Sequence, residues 1–432
     1  LDGEEAPAPQ ATPLAPVRVA IVGAGIAGLV AAHRLHPEHE VTLYEANDYL
    51  GGHTNTVRVD LAEETHFVDT GFIVFNDRNY PAFEALLAEL GVATQPSHMS
   101  FSVSDGQGDF EYAGTPRGLF AKPTHALDRR FLRMLADLVR FNREARALLS
   151  QPPSSGPSLR ELLRDGGYSE WFVERLIVPQ AAAVWSADAE QMWSFPAAFL
   201  ARFFDNHGML GLRDRPQWRT VTGGSHRYVQ AIAEPLGDRV RLAAPVRRIT
   251  RDHDGVEVMA QDCETERFDE VVIATHSDQA LALLGDPTDR ERELLGAIGY
   301  QRNEAVLHTD ERLLPRRRAA WASWNFHLES EAPRTQLTYW MNNLQRLRSE
   351  TNFCVTLNRA EAIDPAKVIR RIDYAHPIYT PEGVAAQDRH AEISGVNRTH
   401  YCGAYWRWGF HEDGVQSALA ALERVGRTAV AA

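Results

Sequence analysis

The sequence predicts an α/β fold in which a parallel dinucleotide-binding sheet is interrupted by a second unit of mixed helices and strands. Three observations predict it. First, a β-branched apolar run at 17–22 enters Gly23-Ala24-Gly25-Ile26-Ala27-Gly28, a helical stretch follows at 29–35, and a second apolar run at 41–44 ends at Glu45. Second, strand-like runs return far downstream, at 270–274 and 399–402. Third, the chain between them changes character. Apolar residues recur at helical spacing among arginines over 129–149, residues 169–212 are aromatic and helical, and 305–357 is sheet-like. The expected cofactor unit is therefore discontinuous (17–105, 220–285 and 396–432), with a substrate unit at 106–219 and 286–395. Residues 1–16, rich in Ala and Pro, are expected to be a disordered leader.

Each glycine of the first turn has a physical task. Gly23 permits the tight turn, Gly25 lets the backbone approach a pyrophosphate, and Gly28 lets helix pack on sheet. The helix N-terminus then offers N–H donors and a positive dipole end to phosphates. Glu45, closing the second strand, is placed to accept hydrogen bonds from ribose hydroxyls and disfavours a 2′-phosphate. Strand, turn, helix, strand and acid in this order make the motif far more specific than the glycines alone.

Composition excludes other classes. A formal net charge of −13 argues against general nucleic-acid binding, which needs a basic surface. The three cysteines, Cys263, Cys354 and Cys402, form no CxxC pair, so no zinc site is expected and a reducing, cytoplasmic setting is. No stretch of eighteen apolar residues is present.

The residues after Glu45 distinguish between dinucleotides. Ala46 leads to Gly51-Gly52-His53-Thr54, Asp69-Thr70-Gly71-Phe72 follows, then Val246 in Ala244-Pro245-Val246, Thr275 closing 271–275, Gly403 in Tyr401-Cys402-Gly403, and His411-Glu412-Asp413-Gly414-Val415. This set resembles the FAD-dependent amine-oxidase superfamily. The resemblance implies a Rossmann-like, glutathione-reductase-like FAD-binding domain with an inserted α+β substrate domain. It makes the residues Gly23, Gly25, Ile26, Ala27, Gly28, Glu45 and Ala46, with those just quoted, candidates for holding FAD. Within the superfamily, 49–53, 69–76, 99–104, 321–326 and 337–342 resemble the flavin domain of plant cyclopropane fatty acid synthases. They also resemble bacterial flavoproteins associated with lipid methyltransferases.

Two departures weaken amine oxidation. His53 stands where the superfamily usually has Arg, and histidine can change charge near neutral pH. Many amine oxidases hold a lysine near flavin N5, but neither Lys122 nor Lys367 falls there; His308 is the candidate replacement and the candidate base. Trp324, Tyr339, Trp340 and Trp408 are candidates to line a substrate pocket. Together with the resemblance, they lead us to expect hydride transfer to flavin from a methyl-branched or related fatty acyl chain. The alternatives are an amine or other small-molecule oxidase, and a non-catalytic flavin-binding partner of a lipid methyltransferase. Helix 129–149, with its arginines, is a candidate for peripheral contact with the inner membrane face.

Overall fold

A computed structural model describes residues 15–152, 156–185, 193, 196–211, 216–328 and 334–426. Most of the predicted leader, Phe195 and the side chain of Trp185 lie outside the described residues.

The first strand, β1 (Arg18–Val22), runs into α1 (Ile26–Leu35) and β2 (Glu40–Tyr44). β1 pairs in parallel with β2 on one side and with Glu270–Ile273 on the other. Val240–Arg241 and Thr399–Tyr401 complete a five-stranded sheet, every pairing of which is parallel. Three distant stretches of sequence thus form one sheet, as the recurring apolar runs required. Two strands of the sheet read as continuous apolar runs because both faces are covered. Ile21, Leu29, Val41 and Val272 are fully buried on one side, Ala20, Val271 and Ile273 on the other.

A seven-stranded sheet forms the floor of the second unit. Its order is Val368–Ile378, Gly299–His308, Cys354–Leu357, Leu337–Trp340, Trp324–His327, Phe101–Ser104 and Glu111–Ala113. All its pairings are antiparallel except that between Trp324–His327 and Phe101–Ser104. Phe101–Ser104, inside the 17–105 block expected for the cofactor unit, is therefore a strand of the other sheet. Against this sheet packs a helical layer that includes α3 (Arg129–Leu148), with Phe131, Met134, Phe141 and Ala145 buried.

The stretch 65–76 holds two strands, Thr65–Asp69 and Phe75–Asn76. Between them the chain is pulled against residues 53–55. Thr70 N donates to Asn55 O (3.0 Å) and Phe72 N to His53 O (2.8 Å). A Cβ on Gly71 would lie 2.3 Å from His53 O, so the approach requires glycine. The last helix, α4 (His411–Leu422), begins at the His411-Glu412-Asp413-Gly414 motif.

Candidate cofactor and substrate site

The two sheets enclose one continuous cavity of about 1680 Å³. Small-molecule sites occupy roughly 300–1,000 Å³, so there is space for a dinucleotide and a second ligand.

One end is built by the glycine turns. Gly23 has φ +100°, a conformation only glycine adopts without strain. Its N–H donates to Tyr44 O at 2.9 Å, tying the turn to the end of β2. The Gly51-Gly52 turn lies directly against it: Gly51 N donates to Ala24 O (2.9 Å), and a Cβ on Gly52 would come 3.2 Å from Gly25 Cα. A Cβ on Gly25 would instead meet nothing within 4 Å. Glu45 reaches back to this turn. Its Oε2 accepts from Ala24 N (2.9 Å), and its Oε1 accepts from Asn47 N (2.9 Å) and Asn47 Nδ2 (2.8 Å). The acid chosen in the sequence for ribose binding thus also braces two loops, a task no local pattern indicated.

Gly23, Gly25, Ile26, Ala27, Glu45, Ala46, Gly51, Gly52, His53, Gly71, Phe72, Val246, Thr275, Gly403 and His411 all line the cavity. Gly28, Thr54, Thr70, Glu412, Asp413, Gly414 and Val415 do not. Gly28 lies behind the turn, where a Cβ would stand 1.9 Å from Gly23 O. Thr54 hydrogen-bonds His411 Nε2 (2.9 Å) and Tyr228 OH, which orients the imidazole at the start of α4. Thr70 bonds Asn55 O and Tyr374 OH. Asp413 caps its own helix, accepting from Phe410 N at 2.9 Å, while burial raises its carboxyl to about 7. Glu412 caps a different helix, α2 (Pro81–Glu89), accepting from Ala82 N (3.1 Å) and Phe83 N (2.9 Å). Both acids are structural.

His308 requires a correction. It is fully buried and absent from the cavity wall. Asp310 N donates to its Nδ1 (3.0 Å), and its Nε2 bonds Thr356 Oγ1 (2.7 Å). Thr356 bonds Thr338 Oγ1 (2.8 Å), which bonds His327 Nε2 (2.8 Å). His308 is one end of a buried polar chain crossing four strands, and it has no access to a substrate.

The histidines that do face the cavity were mostly not singled out by sequence reasoning. His53 stacks on Tyr374, with ring centroids 4.9 Å apart, and lies 5.4 Å from the His376 ring and 5.9 Å from the His276 ring. Burial is the largest cause pushing His53 and His276 to about 4 and His376 to about 3. His53 is therefore neutral at physiological pH, not the pH-responsive group that its substitution for arginine suggested. Tyr374 and His376 sit two residues apart on one strand, the spacing that shares a face. The strand is too charged for its hydrophobic pattern to reveal it.

The other end of the cavity is apolar and aromatic. Trp324 and Tyr339 meet edge to face at 5.1 Å, Trp408 packs on Phe199 at 4.2 Å, and Trp340 completes the predicted four. Leu135, Leu138 and Asn142 of α3 line it as well. Among the described residues, Glu45 and Asp373 are the only acids on the wall and Arg247 the only arginine. Lys122 donates to Asp109 O and Lys367 pairs with Asp310; neither reaches the cavity.

Buried polar groups ordinarily have hydrogen-bond partners. His53 Nε2, Trp324 Nε1 and Tyr379 OH have none within the protein, and all three residues line this cavity. Polar ligand atoms would complete them.

A parallel sheet with a glycine turn at its strand ends, joined to a second chamber, is the architecture of a dinucleotide-binding protein with room for a second ligand. The particular family follows from comparison. The flavin containing amine oxidoreductase family matches residues 26–318, more than half of the chain, and the chain belongs to this family of FAD-dependent oxidoreductases. AofH of Mycobacterium tuberculosis, assigned to the flavin-containing monoamine oxidases, is 30% identical over 285 residues, covering 63% of this chain; the chain spans 59% of that relative's length. Cyclohexylamine oxidase from Brevibacterium oxydans IH-35A shares the fold, with a TM-score of 0.67 at 18% identity over 96% of this chain and 100% of that one. So does a CLA-producing fatty acid isomerase from P. acnes, with a TM-score of 0.65 at 15% identity over 95% and 98%.

Proposed function

We propose that this protein binds FAD along the glycine turns and dehydrogenates an acyl chain, methyl-branched or similarly activated, held in the apolar end of the cavity. The observation that carries this reading is the charge of the wall. An amine substrate calls for an acid or a similar partner near its ammonium, and an amino acid calls for an arginine or lysine at its carboxylate. Among the described residues the whole cavity has two acids and one arginine: Glu45 is taken up by Ala24 N and Asn47, and Arg247 adjoins Val246, which leaves Asp373, beside Tyr374, as the acid an amine could use. His53, His276 and His376 are kept neutral by burial, and the aromatic and aliphatic surface of the wall suits hydrocarbon. The shared fold of a fatty acid isomerase is compatible with such a ligand.

In this reading Gly23, Gly25 and the N-terminus of α1 receive the pyrophosphate, Glu45 the ribose and Val246 the adenine. Gly71, Phe72, Gly403 and the start of α4 border the ring system. FAD, when bound, would supply the oxidising power by taking one hydrogen of the chain as hydride with its two electrons, and the second would leave as a proton to the neutral imidazole of His53, whose Nε2 has no partner within the protein. The chain's own residues bind, orient and keep water out. Trp324 and Tyr339, packed edge to face on each other, form one corner of the substrate wall, Leu135 and Leu138 extend it, and Tyr379 OH remains for a polar atom of the ligands.

Amine oxidation is the second reading, favoured by the similarity to AofH. The two separate in one experiment: the visible flavin spectrum of the purified holoprotein under anaerobic conditions, before and after adding phospholipids with methyl-branched chains. Bleaching is the expected result. An unchanged spectrum with lipid, together with bleaching by primary amines, would overturn the acyl assignment.

A further inference from the structure

We propose that the outer face of α3 and the 114–128 segment preceding it form a docking surface for an anionic lipid bilayer. The inference rests on the acyl reading above and deepens it, because the same helix lines the substrate end of the cavity. At 100° per residue, Leu135, Leu138 and Asn142 share the face that lines it. The adjoining stripe carries Leu132 and Val139, which are 44% and 72% exposed. Beyond it lie Arg129, Arg133 and Arg143, all exposed. Apolar lining thus passes into exposed apolar stripe and then into a basic border on one helix.

The preceding segment extends this surface. Gly114, Thr115, Pro116 and Leu119 line the cavity, while Phe120 (41%) and Leu127 (87%) project outward beside exposed Arg117. Leu127, Val139, Leu132 and Phe120 are four of the eight large apolar side chains that stand exposed among the described residues.

Charge selects the occupant. The chain as a whole is acidic at −13, so an anionic surface repels most of it. On this face the acids are engaged. Asp137 is 2% exposed, Glu144 accepts from Tyr168 OH, and Asp128 caps α3 by accepting from Arg130 N. What remains is apolar with an arginine border, the arrangement that settles in an interface with its cations at the phosphates. No helix among the described residues is long and apolar enough to cross a membrane, so the contact is peripheral.

The test is co-sedimentation of the FAD-loaded protein with phosphatidylcholine vesicles, with and without phosphatidylglycerol. Binding is expected with phosphatidylglycerol and is expected to weaken with salt. It should fall roughly fivefold per arginine in Arg129→Gln and Arg143→Gln, and about tenfold per residue in Leu132→Glu and Val139→Glu. All four positions are exposed, and an unchanged flavin spectrum and circular dichroism confirm folding. Absent binding, equal binding to neutral vesicles, or binding insensitive to all four variants overturns the proposal. A dimer in sedimentation velocity that Leu132→Glu dissolves would assign the surface to a second copy and overturn it too. Adding the branched lipid in neutral detergent separates the two proposals. Bleaching there without vesicle binding removes only the docking surface; vesicle binding without bleaching removes only the acyl reading.

Discussion

Gly25 and Gly28 lie three residues apart in one motif, and their environments predict opposite consequences of the same substitution. A Cβ on Gly28 would sit 1.9 Å from Gly23 O and 3.1 Å from Ala274 Cβ, both behind the turn. Neither neighbour is a flexible side-chain end, so α1 must move off the sheet. Overpacking of that kind costs roughly 1–3 kcal/mol. With about 2.1 cal/mol/K of unfolding entropy per residue over 432 residues, the upper figure lowers the melting temperature by about 3 °C. A Cβ on Gly25 meets nothing, and Gly25 already has φ −70°, which alanine adopts freely. Gly25→Ala should therefore leave the apoprotein's melting temperature unchanged and obstruct the diphosphate instead. Loss of one charge-assisted hydrogen bond, about 1.5–3 kcal/mol, weakens FAD roughly ten- to 150-fold. The assays are thermal unfolding of the apoprotein by circular dichroism and FAD titration by fluorescence quenching. If Gly25→Ala melts as early as Gly28→Ala, or binds FAD within twofold of wild type, the assignment of the turn fails.

Other expectations concern residues whose roles the structure changed. His308→Ala leaves Thr356 Oγ1 and Asp310 N short of a partner, at about 1–3 kcal/mol for each unsatisfied group. The urea midpoint should drop while the rate of anaerobic bleaching by substrate stays within twofold; a selective loss of rate would restore His308 as a catalytic residue. Glu412→Ala removes the cap of α2 and should cost about 0.5–2 kcal/mol, with FAD affinity affected less than in Gly25→Ala. Acid should destabilise the fold. His53, His207, His276 and His308 are held near 4 and His327 and His376 near 3, below the ordinary 6.5. Their contribution is present above 6.5 and is lost as pH falls toward 4, at about 1.4 kcal/mol per pH unit for each fully buried group. Asp69 and Asp413, raised to about 7 by burial, act oppositely but are fewer. The urea midpoint should fall between pH 7 and pH 5; a flat or rising midpoint would contradict the burial of these imidazoles.

The cofactor end was legible because its determinants are local. A glycine turn, a helix start and an acid at a strand end are each set by neighbours in sequence, so Gly23, Gly25, Glu45 and Gly51-Gly52 could be placed before the fold was known. Gly28, Thr54, Thr70 and Glu412 belong to the same motifs but serve packing and capping, distinctions that need the partner segment. Glu412 shows why: its partners, Ala82 N and Phe83 N, lie some 330 residues away. The substrate end draws on α3, the 97–101 segment, three strands of the large sheet and the chain before α4. Aromatic content pointed to Trp324, Tyr339, Trp340 and Trp408, whereas Leu135 and Leu138 read only as one face of an amphipathic helix.

The error at His308 is one of strand parity. In a strand, a shift of one residue exchanges faces. Leu307 pairs with Val355, Val355 with Tyr339, and Tyr339 with Trp324, so these four share the face that carries the cavity-lining aromatics. His308 and Thr356 stand on the reverse, where Val306 packs with Leu313, Ala360 and Ile363. Ala305 and Leu307 of this strand pack with Ile73 and Tyr374, and the residue of the strand that lines the cavity is Tyr300. This strand turns Ala305 and Leu307 toward the cofactor unit and keeps its histidine behind the sheet. The register of the strand, and not the presence of a histidine in it, thus decides which group reaches the cavity: it withdraws His308, and what the strand offers to the wall is Tyr300.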